Sequence, residues 1–185
     1  KVVYLPRTEG ISSTMLGAEA ERVVKIGVVG CGRIAERFVP ETSHVDAAEV
    51  AGIYDLDRKK AEEFAARHGG LRIYDSYEEL MGNVDAVYIA TPHLSHYHQA
   101  RQALENGLHV LCETPLVLNS SQAKELYALA AEKSLVLLEA NKTAFCPAFN
   151  HLVTLIKSGL IGDVVGVDAS ESKLWGDDKL KRELD

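Results

Sequence analysis

The sequence predicts an α/β protein built on a doubly wound parallel sheet, and three observations carry that expectation. From residue 23 onward, short apolar runs rich in Val and Ile alternate with longer segments of helical period, as in parallel strands covered by helices. The first run, Val23 to Val29, leads directly into a turn of small residues, Gly30-Cys31-Gly32-Arg33-Ile34-Ala35. The second run, Glu49 to Tyr54, ends in Asp55, at about the ~20-residue spacing from the glycines at which a carboxylate meets a ribose.

The elements follow in order. Strands are expected at 23–29, 49–54, 71–74, 85–90, 108–112 and 135–139. Asp57 is placed to cap a helix that holds Ala61, Phe64 and Ala65 on one face, and Gly69 to end it in the left-handed conformation. Ser95 is placed to cap the next helix, which stops before Gly107. Asn119 with Gln122 three residues on reads as a capping box, and Ala123, Leu126, Tyr127 and Ala130 form the buried stripe behind it. Beyond residue 140 the pattern changes to a helix at 147–158, a turn from Gly159 to Gly162 and a strand near 163–172.

Composition narrows the function. The 185 residues are 46% hydrophobic and 25% charged, enough for one packed domain with an appendage. A net charge of -7 without a long basic run argues against nucleic acid or an anionic membrane as partner and favours a small-molecule substrate. No apolar run has the roughly 18 residues of a membrane span and no secretory leader is seen, so the cytoplasm is the expected compartment. Cys31, Cys112 and Cys146 lack metal-ligand spacing and are expected to stay reduced, with no metal bound.

In the turn after the first strand, Gly30 permits the tight bend, Gly32 lets the backbone approach a pyrophosphate and Ala35 lets the helix pack on the strand, the dinucleotide-binding (Rossmann) fingerprint. The N–H groups at the start of that helix, beyond Arg33 and Ile34, suit phosphate oxygens. Asp55 favours NAD, because its charge would repel the 2′-phosphate of NADP. Arg58, within one turn, is the residue that would instead neutralise that phosphate, leaving NADP as the alternative cofactor.

The run His109-Val110-Leu111-Cys112-Glu113-Thr114-Pro115-Leu116 closely resembles a signature of the Gfo/Idh/MocA family of nicotinamide-dependent sugar oxidoreductases. Ala90-Thr91-Pro92-His93 resembles the family's Thr-Pro-Asn turn, with His93 in place of the Asn, and His96 matches the family histidine three positions on. The resemblance spans residues 23 to 172. It implies an NAD(P)-dependent oxidoreductase that transfers a hydride between the nicotinamide and a sugar, polyol or sugar-phosphate-like substrate. It further implies that Thr91 and Pro92 line the nicotinamide side, that His93 reaches toward the ribose, that Glu113 faces the nicotinamide half and that His96 takes part in catalysis. His93, His96 and His98 also raise a metal site, but no acidic or cysteine ligand lies near them in sequence.

Thr114 departs from the pattern, since the family has a lysine there that accompanies hydride transfer as proton donor or acceptor. A threonine hydroxyl cannot do this near neutral pH. Lys142, just past the last expected strand of the sheet, is the candidate replacement, its alternative being an ordinary solvated loop lysine.

The resemblance divides the chain into a linker at 1–20, a Rossmann domain at 21–143 and, at 144–185, the truncated start of a second, α+β open-sheet domain. That second sheet, when complete, is the expected route to a homo-oligomer, and the chain alone is expected to be inactive. Within the linker, Arg7-Thr8-Glu9-Gly10-Ile11-Ser12-Ser13-Thr14 resembles the closing motif of glycerol-3-phosphate-type cytidylyltransferases, which implies a cytidylyltransferase fusion. The readings that compete with an oxidoreductase are a nucleotide-binding sensor without catalysis and a part of such a fusion.

Overall fold

The computed structural model describes residues 23–170, which leaves the expected cytidylyltransferase motif and residues 171 and 172 outside the described residues. These residues fall into two compact units, divided between Asn141 and Lys142.

The first unit is a parallel sheet of five strands: β1 (Val24–Val29), β2 (Ala48–Tyr54), β3 (Ala86–Ile89), β4 (His109–Cys112) and β5 (Leu137–Glu139). Their spatial order is β2-β1-β3-β4-β5 and every pairing is parallel. Side chains alternate between the faces of a strand, so neighbours along β1 and β3 enter different cores. Val28 and Tyr88 pack with Ala35, Val39, Ala61 and Phe64 of α1 (Ala35–Thr42) and α2 (Arg58–Arg67). Val29, Val87 and Ile89 pack with Leu80, Ala100, Leu104 and Leu126, which belong to α3 (Tyr77–Met81), α4 (His93–Glu105) and α5 (Ser120–Glu132). Helices on both faces make the sheet doubly wound, as its apolar strands require.

Two caps form as expected. Asp57 accepts from Lys60 N, and Asn119 Oδ1 accepts from Gln122 N at 3.0 Å. Gly69 ends α2 with φ +77°.

Four expectations are corrected. Residues 71–74 form no strand, only an isolated bridge between Ile73 and Ile53, because the chain leaves the sheet edge at once to enter α3. The helix expected to start at Ser95 begins at His93 with Pro92 as its cap, since a proline without an N–H costs nothing at a helix start. Tyr127 stands exposed, and Leu129 takes its place against the core. In the second unit, α6 (Lys142–Phe145) and α7 (Pro147–Lys157) lead to turns around Gly159 and Gly162, but 163–170 form no strand. A strand needs a neighbour to pair its N–H and C=O groups, and the described residues of that unit supply none. No helix among the described residues is long and apolar enough to cross a membrane.

Candidate functional site

Because β2 lies on one side of β1 and β3 on the other, the connections leaving β1 and β3 diverge and open a crevice at the carboxyl ends of the strands. A cleft of about 220 Å³ occupies that place, lined by Gly30 after β1, Asp55 and Leu56 after β2, Thr91 and Pro92 after β3, and Lys60 of α2.

The glycine turn is pinned from both flanks. Gly30 has φ +94°, and its N–H donates to Tyr54 O at 2.8 Å. Beyond its two chain neighbours, Gly32 has nothing within 4 Å of the position its Cβ would take, so its surface is open for a ligand to approach. The cap of α1, Ile34, offers no side-chain acceptor, and Glu36 N and Arg37 N donate to Gly32 O and Ile34 O at 3.1 and 3.0 Å, so the N–H groups that suit an anion are those of the glycine turn before them. Arg33 and Ile34 are exposed at that turn.

Asp55 is fixed by the loop it faces. Its Oδ2 accepts from Cys31 N at 2.7 Å and its Oδ1 from Asp57 N at 3.0 Å, while Lys60 Nζ lies 3.5 Å from Oδ2. Arg58, the cation expected beside Asp55, is instead paired with Glu62 and Asp75. Lys60 is therefore the residue that the sequence reading missed. The signal was its place in the first turn of α2, close behind the Asp57 cap and facing back toward Asp55.

Thr91 and Pro92, expected on the nicotinamide side, share the cleft with Asp55. The Thr91 hydroxyl donates to Gln99 Oε1 at 2.5 Å, and the Tyr77 hydroxyl donates to Gln99 O at 2.9 Å. Glu113, after β4, accepts from the Tyr88 hydroxyl at 2.5 Å. Burial first, then this carboxylate, pushes the Tyr88 phenol far up, so that it remains a donor to Glu113. Burial and then the Asp55 carboxylate push the Cys31 thiol up to about 12, and burial followed by Glu113 does the same to Cys112.

The two expected catalytic residues lie in different units, His96 in the first and Lys142 in the second. His96 is fully buried, with Nδ1 2.8 Å from Pro115 O and Nε2 2.8 Å from Thr91 O, which leaves no ring nitrogen for a substrate. Lys142 is exposed at the start of α6, in the second unit. His93 is exposed, its ring 5.6 Å from that of His96 and edge-on to it. Among the described residues no group of three His, Cys, Asp or Glu side chains is placed to hold a metal ion. Thr114 is exposed beside Pro115.

Residues 24–141 match the Gfo/Idh/MocA oxidoreductase family, described by its NAD-binding Rossmann fold. The chain is 32% identical over 132 residues to scyllo-inositol 2-dehydrogenase (NADP(+)) of Bacillus subtilis, covering 70% of this chain and 40% of that one. It is 37% identical over 144 residues to trans-1,2-dihydrobenzene-1,2-diol dehydrogenase of Xenopus laevis, covering 76% of this chain and 44% of that one. Among solved structures it is similar to a 3-ketoreductase from Actinomadura kijaniata in complex with TDP-benzene and NADP, with a TM-score of 0.69 and 32% identity over 77% of this chain and 46% of that one. The chain thus spans less than half the length of these relatives.

Proposed function

The chain belongs to the Gfo/Idh/MocA oxidoreductase family, and on that premise we propose that it is the cofactor-binding part of an NAD(P)-dependent dehydrogenase acting on a secondary alcohol of a sugar, polyol or sugar phosphate. The observation that carries the reading is the cleft where Gly30, Asp55 and Thr91 meet at the carboxyl ends of three neighbouring strands. A cyclic vicinal diol is the favoured substrate class, because the named reactions of the scyllo-inositol and dihydrobenzenediol dehydrogenases share that feature.

Each residue then has a part. Gly30 shapes the turn, and Gly32 lets the pyrophosphate approach the N–H groups of the glycine turn, which donate to it. Asp55 holds the adenosine ribose hydroxyls. Lys60 moves from Asp55 to the 2′-phosphate when NADP is the cofactor, while Arg58 stays with Asp75. His93 at the start of α4 faces the ribose on the nicotinamide side, and Glu113 faces the nicotinamide half. Bound NAD(P) supplies the acceptor for the hydride that leaves the carbinol carbon, and the hydroxyl proton passes to a side-chain base, so the alcohol becomes a ketone. Lys142, three residues past Glu139 of β5, is assigned as that base in place of Thr114. The cytoplasm is the compartment assigned to the reaction, a reading that the three free thiols support. Assembly of the enzyme as a homo-oligomer is assigned to the second-domain sheet.

Fluorescence titration with NADH and NADPH tests the reading. Both are expected to bind; Asp55→Ala is expected to weaken NADH by roughly tenfold, the worth of a charge-assisted hydrogen bond. Lys60→Ala is expected to weaken NADPH selectively, and Arg58→Ala to change neither. Binding of neither nucleotide by the unmutated chain overturns the proposal. Binding of both without dehydrogenation of any cyclic polyol by the full-length protein favours a sensor module, which Thr114 at the lysine position also suggests.

A further inference from the structure

His96 is fully buried, and the proposed reaction gives it no contact with substrate. Its surroundings show another use. Nε2 meets the carbonyl of Thr91, in the turn that follows β3, and Nδ1 meets the carbonyl of Pro115, in the turn that follows β4, each at 2.8 Å. Carbonyl oxygens only accept hydrogen bonds, so the ring satisfies both contacts only when both nitrogens donate. The two turns are also held from outside. Gln99, one turn further along α4, accepts from the Thr91 hydroxyl, and Glu139 Oε1 at the end of β5 accepts from Leu116 N at 3.0 Å. Hydrogen bonds therefore run continuously across the carboxyl ends of β3, β4 and β5, with the imidazole as the central link.

We propose that His96 is a positioning residue that straps the Thr91 turn to the Thr114-Pro115 turn and so fixes the two sides of the cofactor site relative to each other. The inference rests on the proposed nucleotide site, because Thr91 lines the cleft with Asp55 while Thr114 is exposed where the substrate-side chemistry would lie. The groups around the ring fit a double donor. Glu113 stands two residues before Pro115, Glu139 holds Leu116 next to it, and His93 is the neighbouring ring at 5.6 Å. A buried imidazole tied to main chain at both ends has one orientation only, and it passes that restriction to the backbone of both turns.

Two measurements on this chain test the strap. Nitrogen-15 spectra of the histidine rings at neutral pH are expected to show one ring with both nitrogens protonated and slow to exchange. A His96 ring with one bare nitrogen overturns the proposal, and this readout needs neither a variant nor the nucleotide. Titration with NADH then compares His96→Ala and His96→Gln with Leu129→Ala, a substitution in the core-facing side of α5 that touches neither turn. His96→Ala is expected to weaken NADH by roughly tenfold or more, about the worth of two lost hydrogen bonds. His96→Gln, which can restore one donor, is expected to recover part of that loss, and Leu129→Ala to leave affinity unchanged while the chain stays folded. A folded His96→Ala with unmutated affinity overturns the strap. An unmutated chain that fails to bind NADH overturns the nucleotide site instead, and the nitrogen-15 result still decides the strap.

Discussion

Alanine at Gly30 and alanine at Gly32 are expected to fail in different ways, although the two glycines stand two residues apart in one turn. At Gly30 the added Cβ meets Ala90 O at 2.7 Å and Ala90 C at 2.9 Å, with φ at +94°. Those atoms are main chain, so no rotamer relieves the clash. The left-handed conformation costs an alanine about 1–3 kcal/mol. Relief of the clash must part β1 from β3 beside the bond from Ala90 N to Val29 O, 2.8 Å in the native sheet, and a backbone hydrogen bond is worth about 1 kcal/mol. The sum is about 2–4 kcal/mol, which at a mid-range urea m-value of about 2 kcal/mol/M lowers the unfolding midpoint by roughly 1–2 M. At Gly32 the new methyl group meets nothing within 4 Å and the backbone is not left-handed, so stability is expected to stay within about 0.5 kcal/mol. The methyl instead stands in the space through which the pyrophosphate approaches, and NADH affinity is expected to fall by at least about tenfold. Urea melts and NADH fluorescence titrations on both variants read the two quantities. A Gly32→Ala chain that binds NADH like the unmutated protein refutes the placement of the pyrophosphate, and a Gly30→Ala chain that melts at the unmutated midpoint refutes the reading of the turn.

Three further outcomes are expected. Lys142→Met should leave the NADH affinity of the chain unchanged and abolish dehydrogenation of a cyclic polyol by the enzyme; a variant that keeps its turnover removes Lys142 as the base. The hydrogen bond from Arg67, joined by His68, holds the Glu36 carboxyl below its ordinary value of 4.5, so Glu36 adds stability above that value and loses it as pH falls through the lowered one. Urea midpoints of the unmutated chain should therefore drop more steeply in acid than those of Glu36→Gln, by under about 1 kcal/mol because the pair is solvent-screened, and parallel profiles would contradict this. An aromatic disulfide reagent should label Cys146 rapidly in the folded chain and leave Cys31 and Cys112, buried and with thiols pushed up to about 12, until denaturant is added. Rapid labelling of a second thiol would show that one of the two cores opens in the native state.

What was legible in the sequence is what depends on backbone alone. Gly30 and Asp55 were found because the turn needs a glycine and the strand spacing sets where the acid emerges, and both reach the cleft. Asp57 and Asn119 were found because a cap acts on N–H groups only a few residues ahead. Helix α3 went unread although its start carries the same signal, Ser76 accepting from Glu79 N and Glu79 reaching back to Asp75 N. Its five residues are too short to show a period. Side-chain direction was the second loss. Arg58 and Lys60 are equivalent cations in sequence, and it is Glu62 together with Asp75, beyond the end of α2, that draws Arg58 away from Asp55. His96 was legible as a residue of the motif, but its burial depends on the Pro115 carbonyl of a different loop.

Thr114 and the cleft bear on different steps of the reaction. Gly30, Gly32, Asp55, Lys60, Thr91 and Glu113 all precede Asn141, within the unit that ends there, whereas Lys142 opens the next. Nothing that contacts the pyrophosphate or the adenosine ribose in the proposed site requires a lysine after Glu113, so its replacement by threonine costs no contact with the adenosine half of the cofactor. The Glu113 carboxylate keeps its own partner in the Tyr88 hydroxyl, whose proton burial retains, and needs no neighbouring cation to stay in place. Nucleotide affinity and proton transfer are therefore separable in this chain. NADH binding with no dependence on Lys142, together with turnover that depends on it wholly, is the combination that a relocated base requires and that a simple loss of the catalytic lysine forbids.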